Sequence, residues 1–295
     1  MNKSFTLIEI LVVIVIVGIL SAFIIVSMAG VSSKATIAKG QAFSSSLKNV
    51  LMMNLVSEWK FDGSGVVDGQ NATSAYVQDS WGVNHGTIIS GHEPLVMSGS
   101  NCLSSSCLDF DGSVDYFLVN GNQGIPMGSS KFTISAWINP DIDGPRAIIC
   151  WGVLSQSNAN CFRLAVNGAR HYFYSNDFDV TTGTLLNKWN FVVLTHIGNG
   201  DRKFYLNGME ISGSYVGTKE SPNVQPSSIY VGSRLAAGEF FNGRIDEIRV
   251  YNEAMLSSQI QENYYAGLNR LLSHNQVDFE EYQGRLAQLY HPVDK

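Results

Sequence analysis

The chain has 295 residues and carries 25 acidic against 19 basic side chains, which gives a formal net charge of −6 at pH 7. No cluster of lysine or arginine appears along it, so the composition argues against nucleic acid as a partner. Glycine and aromatic residues are plentiful and proline is scarce, as in proteins with many strands joined by tight turns. The length accommodates a membrane anchor and one all-β domain of about 200 residues.

The first feature in chain order is an apolar segment between Phe5 and Val31 whose one charged residue is Glu9. As a helix, this segment is long enough to cross the hydrocarbon core of a bilayer, which is about 30 Å thick. A carboxylate inside a membrane costs roughly 2.5 to 3.5 kcal/mol at the midplane, and it therefore usually has a partner and a function. We expect a single transmembrane helix over about residues 8–30.

The apolar segment begins with the sequence KSFTLIE at residues 3–9. This start resembles the N-terminal segment of type IV prepilins and pseudopilins. The resemblance implies that residues 1–4 are a leader, that prepilin peptidase cleaves between Ser4 and Phe5, and that the new Phe5 amine is methylated. Glu9 would then pair with the Phe5 amine of a neighbouring subunit in a fibre. Ser4 stands where the family nearly always has glycine, but serine is small enough for cleavage.

Two other interpretations of the N-terminal segment are weaker. A secretory signal peptide has a shorter apolar core with a small-residue cleavage site after it, and a plain membrane anchor has no reason to carry Glu9. Beyond the membrane, no proline interrupts residues 32–55, and apolar residues recur with a loose helical spacing. We therefore predict one pilin-like helix over residues 5–54.

The pattern changes to period two from Val56 to Tyr251, with glycine-containing turns every eight to twelve residues. Residues 132–138 and 189–196 alternate between two sets of side chains, as strands with two different faces do. Asn167-Gly168 and Asn207-Gly208 are two-residue hairpin signals, because both positions of such a turn need positive φ. About a dozen strands of this kind predict a two-sheet β sandwich.

This region contains several characteristic phrases, in this order: VSEWKFD at 56–62, DSWGVNHGT at 79–87, LDFDG at 108–112, FTISAWINP at 132–140, FYLNG at 204–208, IYVGS at 229–233 and FNGRIDEIRVYN at 241–252. Their order and spacing resemble the laminin-G-like, concanavalin A-like jelly-roll family over residues 55–265. The resemblance implies a mainly β fold, a concanavalin A-like two-sheet jelly-roll sandwich carried on the long N-terminal helix.

The same resemblance implies a calcium site, because members of the family often hold a structural Ca²⁺ between the first strand and the last. Calcium takes six to eight oxygen ligands from carboxylates, amides and carbonyls. Asp62, Asp79, Asn84 and Asp246 fall at the phrases that would supply them. The competing interpretation is that these residues form turns and end strands.

Four cysteines, Cys102, Cys107, Cys150 and Cys161, lie in the head, and four cysteines allow three pairings. Their spacing favours Cys102 with Cys107 across a serine-rich loop, and Cys150 with Cys161 across a hairpin. Two disulfides agree with a head outside the cytoplasm.

Catalytic signatures do not appear in the sequence. Glycoside hydrolases need two carboxylates that face each other across a sugar, and the paired-acid strand motif E-x-D-x-x-E of this fold does not occur. The histidines show no H-E-x-x-H spacing, and no G-x-S-x-G elbow is present. We therefore expect a protein that is not an enzyme.

A ligand site is indicated by the sequence HYFYSND at residues 171–177, where aromatic residues lie beside amides. Sugar recognition uses flat stacking faces together with hydrogen-bond partners. Tyr172, Tyr174 and Asn176 are the candidates, and Trp151 in a neighbouring glycine-flanked stretch is expected to join them. The alternative is that one face of this strand belongs to the core.

The tail after Tyr251 loses the alternation. Residues 256–265 fit a short closing helix, and residues 266–295 are expected to form a hairpin of two short helices joined near His274-Asn275. This hairpin either packs on the head or binds a neighbouring molecule.

Together these patterns predict a type IV pilin-like subunit, minor or at the tip, that presents a lectin-like domain for adhesion or ligand recognition at the cell envelope. The predicted partners are other pilin subunits, prepilin peptidase and the pilus assembly machinery, membrane lipid, and a glycan or protein ligand. The alternatives are a type II secretion pseudopilin that contacts cargo, and a membrane-tethered carbohydrate-binding protein or enzyme.

Overall fold

A computed structural model describes residues 53–63, 67–155, 157–236 and 238–290. The predicted leader, the predicted pilin-like helix up to residue 52, and the processing and assembly residues Ser4, Phe5 and Glu9 lie outside the described residues. Among the helices that the structure does describe, none is both long enough and apolar enough to cross a membrane.

The described chain forms 17 strands in two antiparallel sheets that stack as a sandwich. The nine-stranded sheet contains β1 (Leu55–Trp59), β2 (Gln70–Asn71), β4 (Leu95–Ser98), β5 (Ser106–Asp111), β7 (Phe132–Pro140), β12 (Asn190–His196), β13 (Arg202–Leu206), β14 (Met209–Ile211) and β17 (Asn242–Tyr251). The eight-stranded sheet contains β3 (Gly86–Ile88), β6 (Phe117–Val119), β8 (Arg146–Gly152), β9 (Ala159–Ala165), β10 (Gly168–Tyr172), β11 (Asn176–Thr181), β15 (Gly213–Gly217) and β16 (Ile229–Val231).

Strands that are distant in sequence are neighbours in both sheets, as in a jelly roll. The nine-stranded sheet has the order β14-β13-β12-β7-β17-β5-β4-β2, and the eight-stranded sheet has the order β15-β11-β10-β9-β8-β16-β6-β3. The last strand, β17, pairs along one edge with β7, and its other edge is shared between β5 and β1. The first and last strands of the head are therefore hydrogen-bonded to each other.

The main core lies between the two sheets, and the predicted alternation determines which side chains reach it. In β7, Phe132, Ile134, Ala136 and Ile138 point into this core, whereas Trp137 belongs to a second apolar cluster on the outside of the same sheet. All nine residues of β7 are buried, because both faces of this strand are covered. The predicted two-sheet sandwich is confirmed.

The two predicted hairpin turns differ. At Asn207-Gly208 both residues have positive φ, 51° and 81°, as a tight two-residue turn requires. The other turn consists of Val166 and Asn167, and Gly168 is already the first residue of β10. Glycine is needed at 168 for a different reason than predicted, because a Cβ there would lie 2.1 Å from the Val180 carbonyl oxygen.

Two helices follow the last strand: α1 (Ser257–Ser273) and α2 (Phe279–Tyr290). The predicted boundary between residues 265 and 266 falls inside α1, because the apolar face of this helix continues from Ile260 to Leu271. That face packs on Trp137, Phe191 and neighbouring residues on the outside of the nine-stranded sheet. The helical segment therefore packs on the head and covers one of the two outer sheet faces.

The structure joins Cys102 to Cys107 and Cys150 to Cys161, the pairing that the spacing favours. The first disulfide closes the short loop before β5, and its two cysteines are buried in the cluster beneath α1. The second links adjacent residues of β8 and β9 on the outer face of the eight-stranded sheet.

Candidate functional site

The four residues predicted to bind calcium separate into two pairs. Asp79 accepts backbone N–H groups with both carboxylate oxygens: Oδ1 from Glu58, Trp81 and Gly82, and Oδ2 from Asn84, at 2.8 to 3.0 Å. These bonds hold the loop after β2 against β1. The Asp79 carboxylate therefore fixes the backbone of this loop, which agrees with the competing interpretation that Asp79 forms a turn.

Asn84 is also fully engaged within the protein. Its amide nitrogen donates to the Ser57 hydroxyl at 2.7 Å and to the Gln123 carbonyl at 3.0 Å, and its amide oxygen accepts the Gln123 N–H at 2.9 Å. The side chains of Asn84 and Asp79 thus bind other groups of the protein, and among the described residues Asp79 is not grouped with Asp62 and Asp246 in an arrangement that could hold a metal ion.

Asp62 and Asp246, by contrast, converge on one residue. The Ser104 hydroxyl lies 3.2 Å from Asp62 Oδ1 and 3.4 Å from Asp246 Oδ2, and the loop that carries it is closed by the Cys102–Cys107 disulfide. Asp246 is fully buried, and its Oδ1 has no hydrogen-bond partner. A buried carboxylate oxygen without a donor is costly unless the group is protonated or meets a cation.

The surroundings of Asp246 are acidic. Burial, together with the neighbouring Glu247 and Asp62, raises the pKa of Asp246 well above its ordinary value. The negative charge of Glu247 is balanced by two arginines: Arg249 Nη2 lies 2.9 Å and Arg270 Nη2 lies 2.7 Å from its carboxylate. Arg270 belongs to α1, so this ion pair also ties the helix to the sheet.

Asp62 and Asp246 fit one side of a cation site, and the remaining oxygens would have to come from hydroxyl, carbonyl or water ligands. Within the described residues, no group of three or more histidine, cysteine, aspartate or glutamate side chains is arranged to hold a metal ion. The fit is therefore limited to two of the four predicted residues.

Two of the four predicted ligand-binding residues are buried and cannot contact a sugar. Trp151 has no exposed surface, and its indole N–H donates to the Pro126 carbonyl at 3.2 Å. Asn176 is 1% exposed, and its amide donates to Glu220 O and accepts from Arg202. Trp151 was expected at the surface because a glycine flanks it, and Asn176 because it is an amide beside aromatic residues, but both side chains are buried.

Tyr172 and Tyr174 lie on the outer face of the eight-stranded sheet, where their rings are 5.7 Å apart and inclined by 70°. Tyr174 is 38% exposed and has a φ of 62°, and Ser175 follows it with 67°. A positive φ is a strained backbone conformation for a residue other than glycine, and such strain is often found at binding sites. The tight turn between β10 and β11 thus presents Tyr174 to solvent.

Arginines flank Tyr172. The guanidinium carbons of Arg163 and Arg234 lie 5.3 Å and 5.8 Å from its ring centre, within the range of cation–π attraction. Both guanidinium groups also share one carboxylate, Glu239, at 3.0 Å and 3.4 Å. Tyr172 is therefore a partly buried ring in contact with cations, and it lies next to the exposed ring of Tyr174.

A second aromatic group on the same sheet face was missed by the sequence analysis. The Tyr116 ring lies 4.7 Å from His92, 5.9 Å from Tyr230 and 6.4 Å from Phe240. These residues come from four separate loops and strands. The alternation of β16 indicated that Tyr230 faces outward, but nothing in the sequence showed that the four rings meet.

Two family models match the chain. A model described as the concanavalin A-like lectin/glucanases superfamily matches residues 111–261, just over half of the chain. The chain belongs to this superfamily. A second model, the prokaryotic N-terminal methylation motif, matches residues 1–25, so the predicted fusion of a pilin-type N-terminus to a laminin-G-like domain is confirmed. No curated protein sequence matches the chain.

Solved structures share the fold at low sequence identity. The binding domain of Paraclostridial Mosquitocidal Protein 1 has a TM-score of 0.56 at 16% identity, covering 74% of this chain and 53% of its own. Domain 4 of AbnA, an extracellular arabinanase from Geobacillus stearothermophilus solved with arabinotriose, has a TM-score of 0.52 at 19% identity, covering 71% and 97%. The ligand-binding domain of botulinum neurotoxin serotype D with N-acetylneuraminic acid has a TM-score of 0.52 at 13% identity, covering 75% and 53%. The chain thus spans about half the length of the toxin domains that it matches.

Proposed function

We propose that this protein is a minor or tip subunit of a type IV pilin-like fibre and that its lectin-like head serves adhesion or ligand recognition at the cell envelope. The observation that carries the proposal is the presence of a methylation motif at residues 1–25 and a concanavalin A-like domain at residues 111–261 in one chain. The motif indicates a membrane-anchored export route that involves other pilins and the pilus assembly machinery. A head of this size suits an end of the fibre, because it would crowd a densely packed shaft.

The proposed ligand is a glycan, bound without being cleaved. Its support is the exposed ring of Tyr174 beside the partly buried Tyr172 and two arginines, a combination of aromatic and polar groups that suits sugar rings and their hydroxyls. The α1–α2 pair covers the outer face of the nine-stranded sheet, which leaves the outer face of the eight-stranded sheet for this role. Two solved structures of the same fold hold sugars: domain 4 of AbnA with arabinotriose, and the botulinum neurotoxin serotype D domain with N-acetylneuraminic acid.

A structural Ca²⁺ is the cofactor of this proposal. Asp62 and Asp246 would hold it, and Ser104 lies between them. The support is the unpartnered, buried Oδ1 of Asp246, whose negative charge a divalent cation would compensate.

The fibre role is tested at the N-terminus. Mass spectrometry of sheared surface fibres is expected to find the mature protein starting at an N-methylated Phe5. Glu9→Val is expected to abolish fibre incorporation while the head stays folded, since the partner of the Phe5 amine is lost. An intact Met1 found only in membranes, or normal incorporation of Glu9→Val, would contradict the fibre role and leave a tethered binding domain.

A further inference from the structure

The aromatic group around Tyr116 lies on the outer face of the eight-stranded sheet, away from the tyrosines that the sequence indicated. Tyr116 precedes β6, Tyr230 lies in β16, Phe240 precedes β17, and His92 lies in the turn between β3 and β4. All four side chains are partly exposed. The His92 ring is fixed by Nδ1, 2.7 Å from the Val114 carbonyl oxygen, and the Tyr116 N–H donates to the His92 carbonyl at 3.2 Å.

The orientation of these rings suits stacking. The Tyr116 ring is inclined by 36° to Tyr230 and by 32° to Phe240, so it is closer to parallel than to perpendicular with each of these two neighbours. Tyr172 and Tyr174 are inclined by 70°, which lets only one of the two present its face to a flat partner. Sugar rings bind to the faces of aromatic side chains, with hydroxyl groups at the edge.

We infer that His92, Tyr116, Tyr230 and Phe240 form a carbohydrate-stacking subsite, and that the head binds an extended oligosaccharide rather than a single sugar. The inference rests on the proposal that the head binds a glycan, and it assigns that glycan a second contact. The phenol groups of Tyr116 and Tyr230 supply polar groups at the edges of the rings.

The strand register connects the two aromatic groups. Tyr230 pairs with Cys150 in β8, Cys150 pairs with Cys161 in β9, and Cys161 pairs with Tyr172 in β10. Tyr230 and Tyr172 therefore lie at the same level of the sheet, three strand spacings or about 14 Å apart. The Cys150–Cys161 disulfide lies between these two tyrosines, and Leu235 packs on it. A chain of several sugars is long enough to contact both groups, whereas one sugar is not.

The subsite is tested with the full-length protein in detergent on an array of mono- to hexasaccharides that includes arabino-oligosaccharides and sialylated glycans. We expect Tyr116→Ala and Tyr230→Ala each to weaken binding of the longest bound oligosaccharide by about tenfold. Tyr265→Ala is the matched control, because Tyr265 is also exposed, at 39%, but lies on α1. Tyr116→Leu keeps an apolar side chain against its neighbours, so it separates loss of the ring face from loss of packing.

The outcomes distinguish this inference from the proposed function. Weaker binding in the Tyr116 and Tyr230 variants, with melting temperatures equal to that of the control, would support the subsite. Unchanged binding in these variants, with loss only in Tyr172→Ala, would overturn it while the glycan-binding role stands. Equal affinity for a monosaccharide and for its longer chains would also overturn it. Wild-type protein that binds no arrayed glycan would overturn both.

Discussion

Two histidines are buried at the end of the sandwich that lies beneath the tyrosine turn. His171 Nε2 lies 2.7 Å from the Asn160 amide oxygen, and His196 Nδ1 lies 2.9 Å from the Ser130 carbonyl oxygen. Burial lowers the pKa of both rings, and the positive charge of Arg202 lowers them further. Both histidines are therefore neutral in the folded protein at pH values where an exposed histidine is already protonated.

This arrangement predicts acid sensitivity. Below about pH 6.5 the unfolded chain binds protons at these histidines and the folded chain does not, so the free energy of unfolding decreases as the pH falls. Each histidine is expected to contribute up to about 1.4 kcal/mol per pH unit below that value. Urea unfolding at pH 7.5 and 5.5 measures the effect as a difference between variants.

His171→Gln is expected to reduce the pH dependence, because it removes the group that binds a proton only after unfolding. His85→Gln is the matched control, since His85 is exposed. Equal pH dependence in wild type and His171→Gln would contradict the assignment of His171.

At the scale of elements, the contact between α1 and β7 depends on one glycine. Gly267 lies against the indole of Trp137, and a Cβ at this position would be 2.2 Å from Trp137 Cζ2. Trp137 in turn contacts Tyr264 and Phe191, at ring distances of 5.8 Å and 5.2 Å. Only glycine lets the α1 backbone approach the Trp137 ring this closely, and this contact outweighs the low helix propensity of glycine.

Replacing a helical glycine by alanine is expected to change the free energy of unfolding in opposite directions at Gly267 and at Gly284. Gly267→Ala is expected to lower the free energy of unfolding by about 1–3 kcal/mol, because it overpacks the contact with Trp137. Gly284→Ala in α2 is expected to raise it by up to about 1 kcal/mol, since no atom beyond the helix's own nearby backbone lies within 4 Å of its Cβ position. Chemical denaturation of both variants checks the pair. Stabilisation by Gly267→Ala would show that α1 does not pack as described.

At the scale of the whole molecule, two sets of side-chain contacts hold the first strand of the head and the residues next to it. Asp79 ties β1 to the loop that follows β2, and the second set, the Asp62–Asp246 pair at Ser104, joins the segment after β1 to β17 beside the Cys102–Cys107 loop. The two carboxylates repel each other, so a cation between them would stabilise the closed sandwich.

Metal removal tests the proposed cation site at Asp62 and Asp246. EDTA is expected to lower the melting temperature of the wild-type protein, and Ca²⁺ is expected to restore it, because the cation binds the folded head. Asp246→Asn is expected to remove the response. Asp79→Asn should lower the melting temperature through its lost hydrogen bonds yet keep the response. A wild-type melting temperature that EDTA leaves unchanged would show that the head needs no metal.

The class of fold could be predicted from the amino-acid sequence, because side-chain alternation along a strand is a local property. The amino-acid sequence also identified the N-terminal methylation motif and the disulfide partners, whose cysteines are close along the chain. The same local reasoning placed Trp151 and Asn176 at a ligand site, and it did not show that these side chains are buried.

Which distant residues meet became visible in the folded structure alone. It separated Asp79 and Asn84 from Asp62 and Asp246, although all four come from phrases of one family pattern. It also brought His92, Tyr116, Tyr230 and Phe240 together, and it packed the C-terminal helices on one sheet face. The physical reason is that strand order and register are set by pairing between distant segments, which no local pattern of side chains specifies.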